Sequence, residues 1–390
     1  MKKLFKFFKW FVLVIALICF GLWVTGYGYI LRGLTMTYFV GQMAPGIDEA
    51  DSFYNDTVHS SSHPELWLEH EKLGELVLSD NVVKELEAIN SVSYLVIQHN
   101  ELLYEKYWDG FDKDHPTNSF SAVKSLVSLL IGVAIEEGKI KSLDEPAGTY
   151  LSDFKKDGKE HITIRHLLMM SSGLDWHESG ANPFSHAAEA YYGTDLTALI
   201  ASLNKVEEPG KEFNYQSGNT QILGFILEAA TGKSVPQLAE EKIWKKIGTT
   251  SDAYWNLDTE NGKAKTFCCF YATPRDYAKL GQLILNKGKW RDIQVVPEAY
   301  VVESLTPAPI QWNGKPLTKY GLHWWILNYN GMDFTYARGI AGQYIISIPE
   351  LDVVIVRTGW QRGEVDEEGH PLDIYNYIDG ALELIKQIDA

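Results

Sequence analysis

Residues 118–125 read NSFSAVKS, and an apolar run follows at once over residues 126–135. The run is apolar on most faces and stops before Gly138, a residue type that often ends helices, so it predicts a helix buried in the centre of the protein. Ser121 then lies at or near the N-terminus of this helix. Lys124 lies one turn further on, on the same face.

The Ser121 and Lys124 pair predicts nucleophilic catalysis. A serine hydroxyl becomes a good nucleophile when a neighbouring group takes its proton. A buried lysine can do this, because burial disfavours the charged form and lowers its pKa. The helix N-terminus adds a positive field and free N–H donors, which favour negative charge on a reacting oxygen. Ser-x-x-Lys also occurs by chance in many proteins, so the rest of the chain must support this interpretation.

The N-terminal segment predicts a membrane anchor. Four lysines lie within residues 2–9, and residues 10–30 form an apolar run without an acidic residue. The run is long enough to cross a bilayer, and the basic flank should stay in the cytoplasm. We therefore expect a single-pass protein of the cytoplasmic (inner) membrane, with the rest of the chain on the extracytoplasmic side.

Two other interpretations of this segment are open. A cleaved signal peptide would need a small-x-small cleavage site, and none follows the apolar run; Trp23, Tyr27 and Tyr29 look more like an interfacial aromatic belt. Cys19 could carry a lipid, but the bulky Ile18 precedes it where such sites usually have a small residue.

Composition limits the partners of the remaining chain. The protein has 390 residues and a formal charge of −16. Residues 1–32 contain five of the 35 basic residues and no acidic residue. The rest of the chain therefore has 30 Lys and Arg and 51 Asp and Glu, which gives it a formal charge of −21. No basic face is evident to meet phosphates, so no nucleic-acid partner is expected. Cys268 and Cys269 are adjacent, and disulfide geometry is demanding, so we expect core packing and no disulfide framework.

The pattern of elements predicts an α+β fold. Two β-rich runs, 94–98 and 102–107, flank a short polar link and predict a hairpin. Residues 139–235 are mainly helical and rich in loops, and a Thr-Pro-Arg-Asp helix start opens at Thr273. The C-terminal part returns to strands at 322–327, 343–348 and 352–357 and ends in an amphipathic helix at 374–388. We expect an antiparallel sheet built from both chain ends, flanked by helices, with a mostly helical inserted subdomain.

A second polar motif, Tyr215-Gln216-Ser217, stands in a loop before a helix, where side chains can point into a cleft. A lysine ammonium nearby should lower the pKa of the Tyr215 phenol, so that it can act as a general base or acid. The alternative is a tyrosine hydrogen-bonded within its loop, with Ser217 as an ordinary helix cap.

The third segment, ARGIAGQ at residues 337–343, leads into a strand. Its glycines allow a ligand to approach the backbone closely. Arg338 could hold a carboxylate, which its planar guanidinium suits. The alternative is a glycine-rich bend before an edge strand.

The order of these three segments resembles the serine β-lactamase and penicillin-binding-protein superfamily. Within it, the likeness is to the class C-type branch with its esterases and 6-aminohexanoate-dimer hydrolases. The resemblance covers roughly residues 85–388 and includes three further landmarks, at 166–174, 273–276 and 320–324. It implies a serine hydrolase domain at 85–388, which follows the basic stub and anchor expected at 1–32 and a connecting region at 33–84.

The departures from the family pattern bear on the substrate. The second motif of class C β-lactamases is Tyr-x-Asn, and this chain has Ser217 in place of the asparagine. The third is Lys-Thr-Gly, and this chain has Arg338-Gly339-Ile340. Both changes argue against an efficient β-lactamase and favour the esterase and amide-hydrolase members.

The resemblance also implies the roles of individual residues. Ser121 is the expected nucleophile, and Lys124 and Tyr215 share its proton and pass it to the leaving group of an amide or ester substrate. The expected substrate-binding and oxyanion residues are Ser217, Arg338, Gly339 and Ile340. No metal or organic cofactor is implied, and the expected partner is a small molecule or short peptide.

Alternative functions stay open at this point. One is a peptidase or penicillin-binding protein acting on cell-wall peptides, which the expected location suits. Another is a penicillin sensor that is acylated and turns over slowly. An inactive scaffold is a third, although Ser121, Lys124 and Tyr215 are all present.

Overall fold

The computed structural model describes residues 1–41, 45–180 and 182–388. Its α-helices are α1 (Lys2–Val24), α2 (Gly28–Met36), α3 (Asp80–Ala88), α4 (Val123–Glu136), α5 (Ile164–Leu168), α6 (His186–Tyr192), α7 (Leu196–Ser202), α8 (Ser217–Thr231), α9 (Val235–Ala239), α10 (Pro274–Leu285), α11 (Glu298–Ser304) and α12 (Asp373–Ile388). Its strands are β1 (Asn55–Val58), β2 (Leu68–Glu69), β3 (Ser91–Gln98), β4 (Glu101–Tyr107), β5 (Thr117–Asn118), β6 (Ala253–Asn256), β7 (Phe270–Ala272), β8 (Lys289–Trp290), β9 (Ile293–Gln294), β10 (Gln311–Trp312), β11 (Lys315–Pro316), β12 (Trp325–Tyr329), β13 (Met332–Gly339), β14 (Gln343–Ile348) and β15 (Val353–Gly359).

The main sheet joins the two ends of the domain, as predicted. Its strand order is β12-β13-β14-β15-β3-β4-β2, and the strands are antiparallel except for β2 beside β4. The early hairpin β3–β4 therefore extends the late strands β12 to β15. Helices α10 and α12 pack on this sheet, and the amphipathic pattern of α10 explains its place, because its apolar stripe meets β14 and β15.

Helix α4 forms the centre of the molecule, as the apolar run predicts. All its residues from Val123 to Ala134 are buried. Helix α8 packs along it, and Gly132 lets the Tyr300 ring of the α11 segment come so close that a Cβ would stand 2.4 Å from it. The helix ends before Gly138, which has a φ of 66° that favours glycine.

The connecting region at 33–84 has more structure than the sequence suggested. Strand β1 from this region pairs with β6 in a second sheet, of order β1-β6-β7-β5. Ser79 caps the N-terminus of helix α3, because its hydroxyl accepts a hydrogen bond from the Val82 amide. Helix α3 packs on α12. The short runs of apolar residues here are too brief to show a period, so only their packing on the domain reveals them.

The expectation for the adjacent cysteines was confirmed for core packing, since both belong to the hydrophobic core. It was wrong about the disulfide, because the structure joins Cys268 and Cys269 by one. Both side chains are buried in the turn that precedes β7. Cys269 takes a left-handed conformation there, with a φ of 68°. An oxidising compartment outside the cytoplasm is compatible with this bond.

The predicted strand at 322–327 begins later than expected, at Trp325. His323 adopts a left-handed conformation, with a φ of 64°, which no regular strand accommodates. Its buried ring explains this turn: Nδ1 donates to the Leu168 carbonyl oxygen, and Nε2 accepts from the Thr220 hydroxyl, both at 2.9 Å. The turn thus ties the start of β12 to α5 and α8.

Candidate active site

Ser121 lies on a 3-10 turn, Phe120–Ala122, that leads directly into α4. The turn is fixed from both sides. The Asn118 side chain accepts from the Phe120 amide at 2.8 Å, and the Ser119 amide donates to the Phe270 carbonyl oxygen at 2.8 Å. Phe120 has a φ of 44°, a conformation that costs a non-glycine residue free energy and is common at functional sites.

Lys124 is the direct partner of Ser121. Only 1% of it is exposed, and its Nζ donates to the Ser121 Oγ at 2.8 Å and to the Phe267 carbonyl oxygen at 2.7 Å. Burial lowers the pKa of Lys124 to about 8, although the Glu178 carboxylate acts in the opposite direction. The lysine therefore has a large neutral fraction at mildly alkaline pH, as a general base requires.

Tyr215 lies next to the Ser121 and Lys124 pair. Its ring centroid lies 5.2 Å from the Lys124 Nζ and 5.8 Å from the ring of Trp325. The expectation of a lowered phenol pKa was wrong: burial raises the pKa of Tyr215, and a hydrogen bond with Ser121 and the charge of Arg338 only partly oppose this. Since a buried phenolate is costly, Tyr215 is a neutral hydrogen-bond donor in the resting site.

Glu178 is the residue that sequence reasoning missed. Its Oε2 accepts from the Ser217 amide and from the Trp176 indole, both at 2.6 Å. Its Oε1 accepts from the Ser217 hydroxyl at 2.6 Å. The carboxylate stands at the N-terminus of α8, where the helix dipole favours it, and it raises the pKa of both Lys124 and Tyr215.

This contact changes the picture of Ser217. Its amide and hydroxyl protons both go to Glu178, so only the oxygen lone pairs of the side chain can accept a further hydrogen bond. Ser217 is also the first residue of α8, not its cap. The departure from Tyr-x-Asn was the available signal: a serine is too short to replace an asparagine, which implies that another side chain contributes at this position.

The third segment meets the nucleophile through its backbone. Arg338 and Gly339 are the last residues of β13, not a loop before a strand, and residues 340–342 form the turn into β14. A Cβ on Gly339 would stand 2.2 Å from the Ser119 carbonyl oxygen. Glycine is therefore required for β13 to reach the Ser121 turn, and Ile340 follows at once in the chain.

Arg338 and Lys319 are two neighbouring cations on one side of the site. Its guanidinium carbon lies 3.7 Å above the Trp325 ring, and its Nη1 donates to the Gly369 carbonyl oxygen at 2.8 Å. Lys319 lies nearby, buried over the Trp312 ring with its Nζ bonded to the Glu368 carbonyl oxygen. Burial and the charge of Arg338 lower the pKa of Lys319 to about 8. No carboxylate forms an ion pair with either cation in the described part of the chain.

The buried histidines are poor candidates for a general base. Burial lowers the pKa of His323 to about 3 and that of His370 to about 4. His323 uses both ring nitrogens in structural hydrogen bonds, and the His370 Nδ1 lies 2.7 Å from the Tyr336 hydroxyl. Among the described residues, no cluster of three or more His, Cys, Asp or Glu side chains could hold a metal ion.

Comparison with known proteins places these features in a family. The family model described as Beta-lactamase matches residues 79–372. The 6-aminohexanoate-dimer hydrolase of Paenarthrobacter ureafaciens is 26% identical over 290 residues, which are 70% of this chain and 73% of that protein.

Solved structures share the fold. A Bacillus anthracis protein assigned as a 6-aminohexanoate-dimer hydrolase superposes with a TM-score of 0.75 and 21% identity, over 88% of this chain and 93% of the other. The D-stereospecific amidohydrolase from Streptomyces gives a TM-score of 0.60 at 16% identity, over 77% and 97% of the two chains. A penicillin-binding protein homologue from Pyrococcus abyssi gives 0.60 at 20% identity, over 78% and 76%.

Proposed function

The chain belongs to the beta-lactamase family, and from the geometry of its site we propose that it is a membrane-anchored serine hydrolase that cleaves amide or ester bonds through an acyl-enzyme. One observation carries this proposal: the Lys124 Nζ lies 2.8 Å from the Ser121 Oγ, and burial lowers the pKa of that lysine to about 8. A buried amine with a lowered pKa is what a serine nucleophile needs as its base.

The first half of the reaction forms the acyl-enzyme. Neutral Lys124 takes the Ser121 proton as Oγ attacks the substrate carbonyl carbon. The oxyanion is held by the Ser121 amide and, in our proposal, by the Ile340 amide, because the close approach of Gly339 brings the start of this turn to the nucleophile. Collapse of the tetrahedral species breaks the bond to the leaving group, which receives a proton from Tyr215.

The second half regenerates the enzyme. Tyr215 regains a proton from Lys124, whose ammonium lies against its ring, and the lysine becomes neutral again. Water then attacks the acyl carbon and gives its proton to the same pair, and Ser121 leaves with a proton. In this scheme the raised pKa of Tyr215 is an advantage, because the phenol passes a proton on without remaining charged.

The cationic side of the site supports a linear substrate with a free carboxylate. Arg338 keeps guanidinium N–H groups beyond the one given to Gly369, and a planar guanidinium can bind a carboxylate with two parallel hydrogen bonds. Lys319 and Arg338 repel each other, whereas the Glu368 and Asp366 carboxylates act on Lys319 in the opposite direction, so Arg338 is the cation that we propose for the substrate carboxylate. Amide hydrolysis of such molecules is also the activity named for the Paenarthrobacter relative.

The decisive experiment compares nitrocefin with p-nitrophenyl acetate on the same enzyme. We expect ester hydrolysis with the higher kcat/KM, because Arg338 displaces a β-lactam carboxylate from the place that a lysine would give it. A misplacement of about 1 Å can cost roughly a hundredfold in rate. Higher kcat/KM for nitrocefin would refute this specificity.

The covalent step is tested on the same samples. A fluorophosphonate probe should label the wild type and the Ser119→Ala control but not Ser121→Ala. Label that persists in Ser121→Ala would move the nucleophile elsewhere. One equivalent of product followed by no steady state would favour the slow penicillin sensor over a hydrolase.

A further inference from the structure

A pocket of about 380 Å³ lies where the N-terminal helices meet the domain. Trp23 at the end of α1, and Tyr29 and Arg32 in α2, line one side of it. Glu189 in α6 and Asp195 before α7 line the other. The pocket is separate from the Ser121 site, and none of the catalytic residues proposed above lines it.

The pocket lies at the depth of lipid headgroups if α1 spans a bilayer, which is part of the function proposed above. Helix α1 has 23 residues, none of them buried against the protein, and its length of about 35 Å exceeds a hydrocarbon core of about 30 Å. Trp23 is 70% exposed near its last turn, where an aromatic ring suits the interface. The pocket begins at this residue.

Two donors in the pocket have hydrogen-bonding capacity left, although the Arg32 guanidinium also lies 5.4 Å from the Phe53 ring centroid. Tyr29 is only 7% exposed, and its hydroxyl has no hydrogen-bond partner among the described residues. Arg32 donates one long hydrogen bond, 3.5 Å, to the Tyr192 carbonyl oxygen, and within residues 1–41, 45–180 and 182–388 it forms no ion pair. Buried donors are nearly always satisfied, so the Tyr29 hydroxyl points to a ligand that accepts hydrogen bonds. The half-buried Arg32 guanidinium in the same pocket favours a ligand that carries negative charge.

One acidic group, Glu189, lies close to Tyr29: burial raises the pKa of the Tyr29 phenol, and the charge of Glu189 helps to raise it. Glu189 is half-buried without a counter-ion in the described structure, and burial raises the pKa of its carboxyl. Asp195 is exposed and accepts from the Ala198 amide at 2.8 Å. A single pocket therefore contains a cation, a hydroxyl without a partner and a nearby carboxylate, which fits a ligand whose anion and cation are separated by only a few atoms.

We propose that this pocket binds the headgroup of an aminophospholipid, a phosphate diester that carries a primary ammonium group. The phosphate lies against Arg32 and the Tyr29 hydroxyl, and the ammonium lies against Glu189. A choline headgroup has no N–H to donate to the carboxylate, and a glycerol headgroup has no cation. The acidic domain gives a further reason, since a formal charge of −21 beyond residue 32 disfavours an anionic bilayer surface.

The test uses the full chain in detergent micelles and three short-chain lipids with ethanolamine, choline or glycerol headgroups, with binding measured by native mass spectrometry. We expect the ethanolamine lipid to bind about tenfold tighter than the other two, which corresponds to one charge-assisted hydrogen bond. Glycerophosphoethanolamine serves as the water-soluble source of the same chemistry. Binding of this compound as tight as that of the lipid would assign the pocket to a soluble ligand and overturn the lipid proposal.

Variants separate binding from folding. Tyr29→Phe should leave the thermal midpoint without lipid unchanged or higher, because the hydroxyl has no partner to lose, and should weaken ethanolamine-lipid binding about fivefold. Glu189→Gln should abolish the preference for ethanolamine over choline, whereas the exposed Glu260→Gln control should keep it. Equal affinity of the wild type for all three lipids would refute the proposal. Because binding is measured in micelles, this failure is distinct from a failure of the chain to associate with membranes.

Discussion

Lys124 experiences two opposing influences, and their balance sets the working pH of the enzyme. Burial removes water from the ammonium and lowers its pKa, whereas the Glu178 carboxylate raises it. The bond to the Phe267 carbonyl oxygen holds the amine in place in either protonation state, because a neutral amine still donates. Burial is the larger influence, so the pKa of Lys124 falls to about 8, as its proposed role of general base requires.

The first prediction is an acid limb in the pH dependence of kcat/KM for p-nitrophenyl acetate. Only neutral Lys124 accepts the Ser121 proton, and its pKa is about 8. We expect kcat/KM to fall about tenfold per pH unit below this value and to level off above it. A limb near pH 6.5 would point to a histidine and contradict the assignment of Lys124.

The same pKa shift predicts that the catalytic lysine destabilises the fold. Folding lowers the Lys124 pKa from 10.5 to about 8, so the unfolded chain binds more protons and stability rises with pH across that window. Below pH 8 the full cost is present, at most about 3 kcal/mol from about 1.4 kcal/mol per pH unit. Lys124→Met should therefore raise the free energy of unfolding by roughly 2 kcal/mol at pH 7.

Chemical denaturation at pH 7 and pH 10.5 checks this prediction. The gain from Lys124→Met should shrink at the higher pH, where the wild-type lysine is neutral in the folded state. The exposed Lys84→Met serves as the matched control and should change little at either pH. A variant less stable than the wild type at pH 7 would show that the bonds to Ser121 and Phe267 outweigh the burial of charge.

Glu178 gives a third prediction. Glu178→Gln removes the charge that raises the Lys124 pKa, so the acid limb of kcat/KM should move to lower pH by about half a unit or more. The amide oxygen can still accept from Ser217, which limits the structural change. Glu212→Gln, an exposed change of the same charge just before Tyr215, should leave the limb in place. If the acid limb of Glu178→Gln stays at the wild-type pH, Glu178 has only a structural role as the hydrogen-bond partner of Ser217.

At the scale of elements, local signals predicted those parts of the fold that depend on neighbouring residues. The Thr273 cap and Pro274 placed the start of α10, and the long apolar run placed α4. Boundaries that depend on tertiary contacts were missed. His323 leaves the strand pattern because its ring bonds Leu168 and Thr220 from other elements, which no local window contains.

The candidate site also contains residues that local motifs predicted and one residue that depends on tertiary contacts. Ser121, Lys124 and Tyr215 stand in motifs of fixed spacing, and the structure brings the three together. Their catalytic roles stay predictions. Glu178 lies in no motif and reaches Ser217 from the loop before α6, so its role depends on how that loop folds. The direction in which the Tyr215 pKa shifts was predicted wrongly. A motif indicates that a lysine is near the phenol, but it does not indicate how deeply the phenol is buried, and burial is the larger effect.

The approach of β13 to the Ser121 turn gives the fourth prediction. Gly339→Ala places a methyl group 2.2 Å from the Ser119 carbonyl oxygen, so the strand end and the Ile340 amide must move away. Gly339 has a φ of −113°, which alanine tolerates, and the effect is therefore steric. We expect kcat for p-nitrophenyl acetate to fall about a hundredfold with little change in KM. Gly180→Ala, where a Cβ meets nothing within 4 Å, should retain the wild-type kcat.

At the scale of the whole molecule, the charges are divided between the two ends of α1, one helix that is long and apolar enough to cross a membrane. The lysines of residues 2–9 form a basic flank on one side of the apolar helix, and the acidic domain follows on the other. Helix α2 then connects α1 to the domain: Gly33 lies against the Tyr192 ring, and Arg32 lies 5.4 Å from the Phe53 ring centroid. If α1 is the anchor that we propose, this packed element limits how the active site can turn relative to the bilayer.

The last prediction separates the anchor from this packed element. The full chain should sediment with membranes and resist high-salt washing, because α1 is apolar along its length; a native N-terminus found after residue 30 would refute an uncleaved anchor. A variant beginning at residue 26 should be soluble with unchanged kcat for p-nitrophenyl acetate. A variant beginning at residue 45 should also be soluble and active, but with a lower thermal midpoint, because it uncovers the Tyr192 and Phe53 rings. If the shorter variant were equally stable, the contact between α2 and α6 would contribute nothing, and the orientation of the domain would depend on α1 alone.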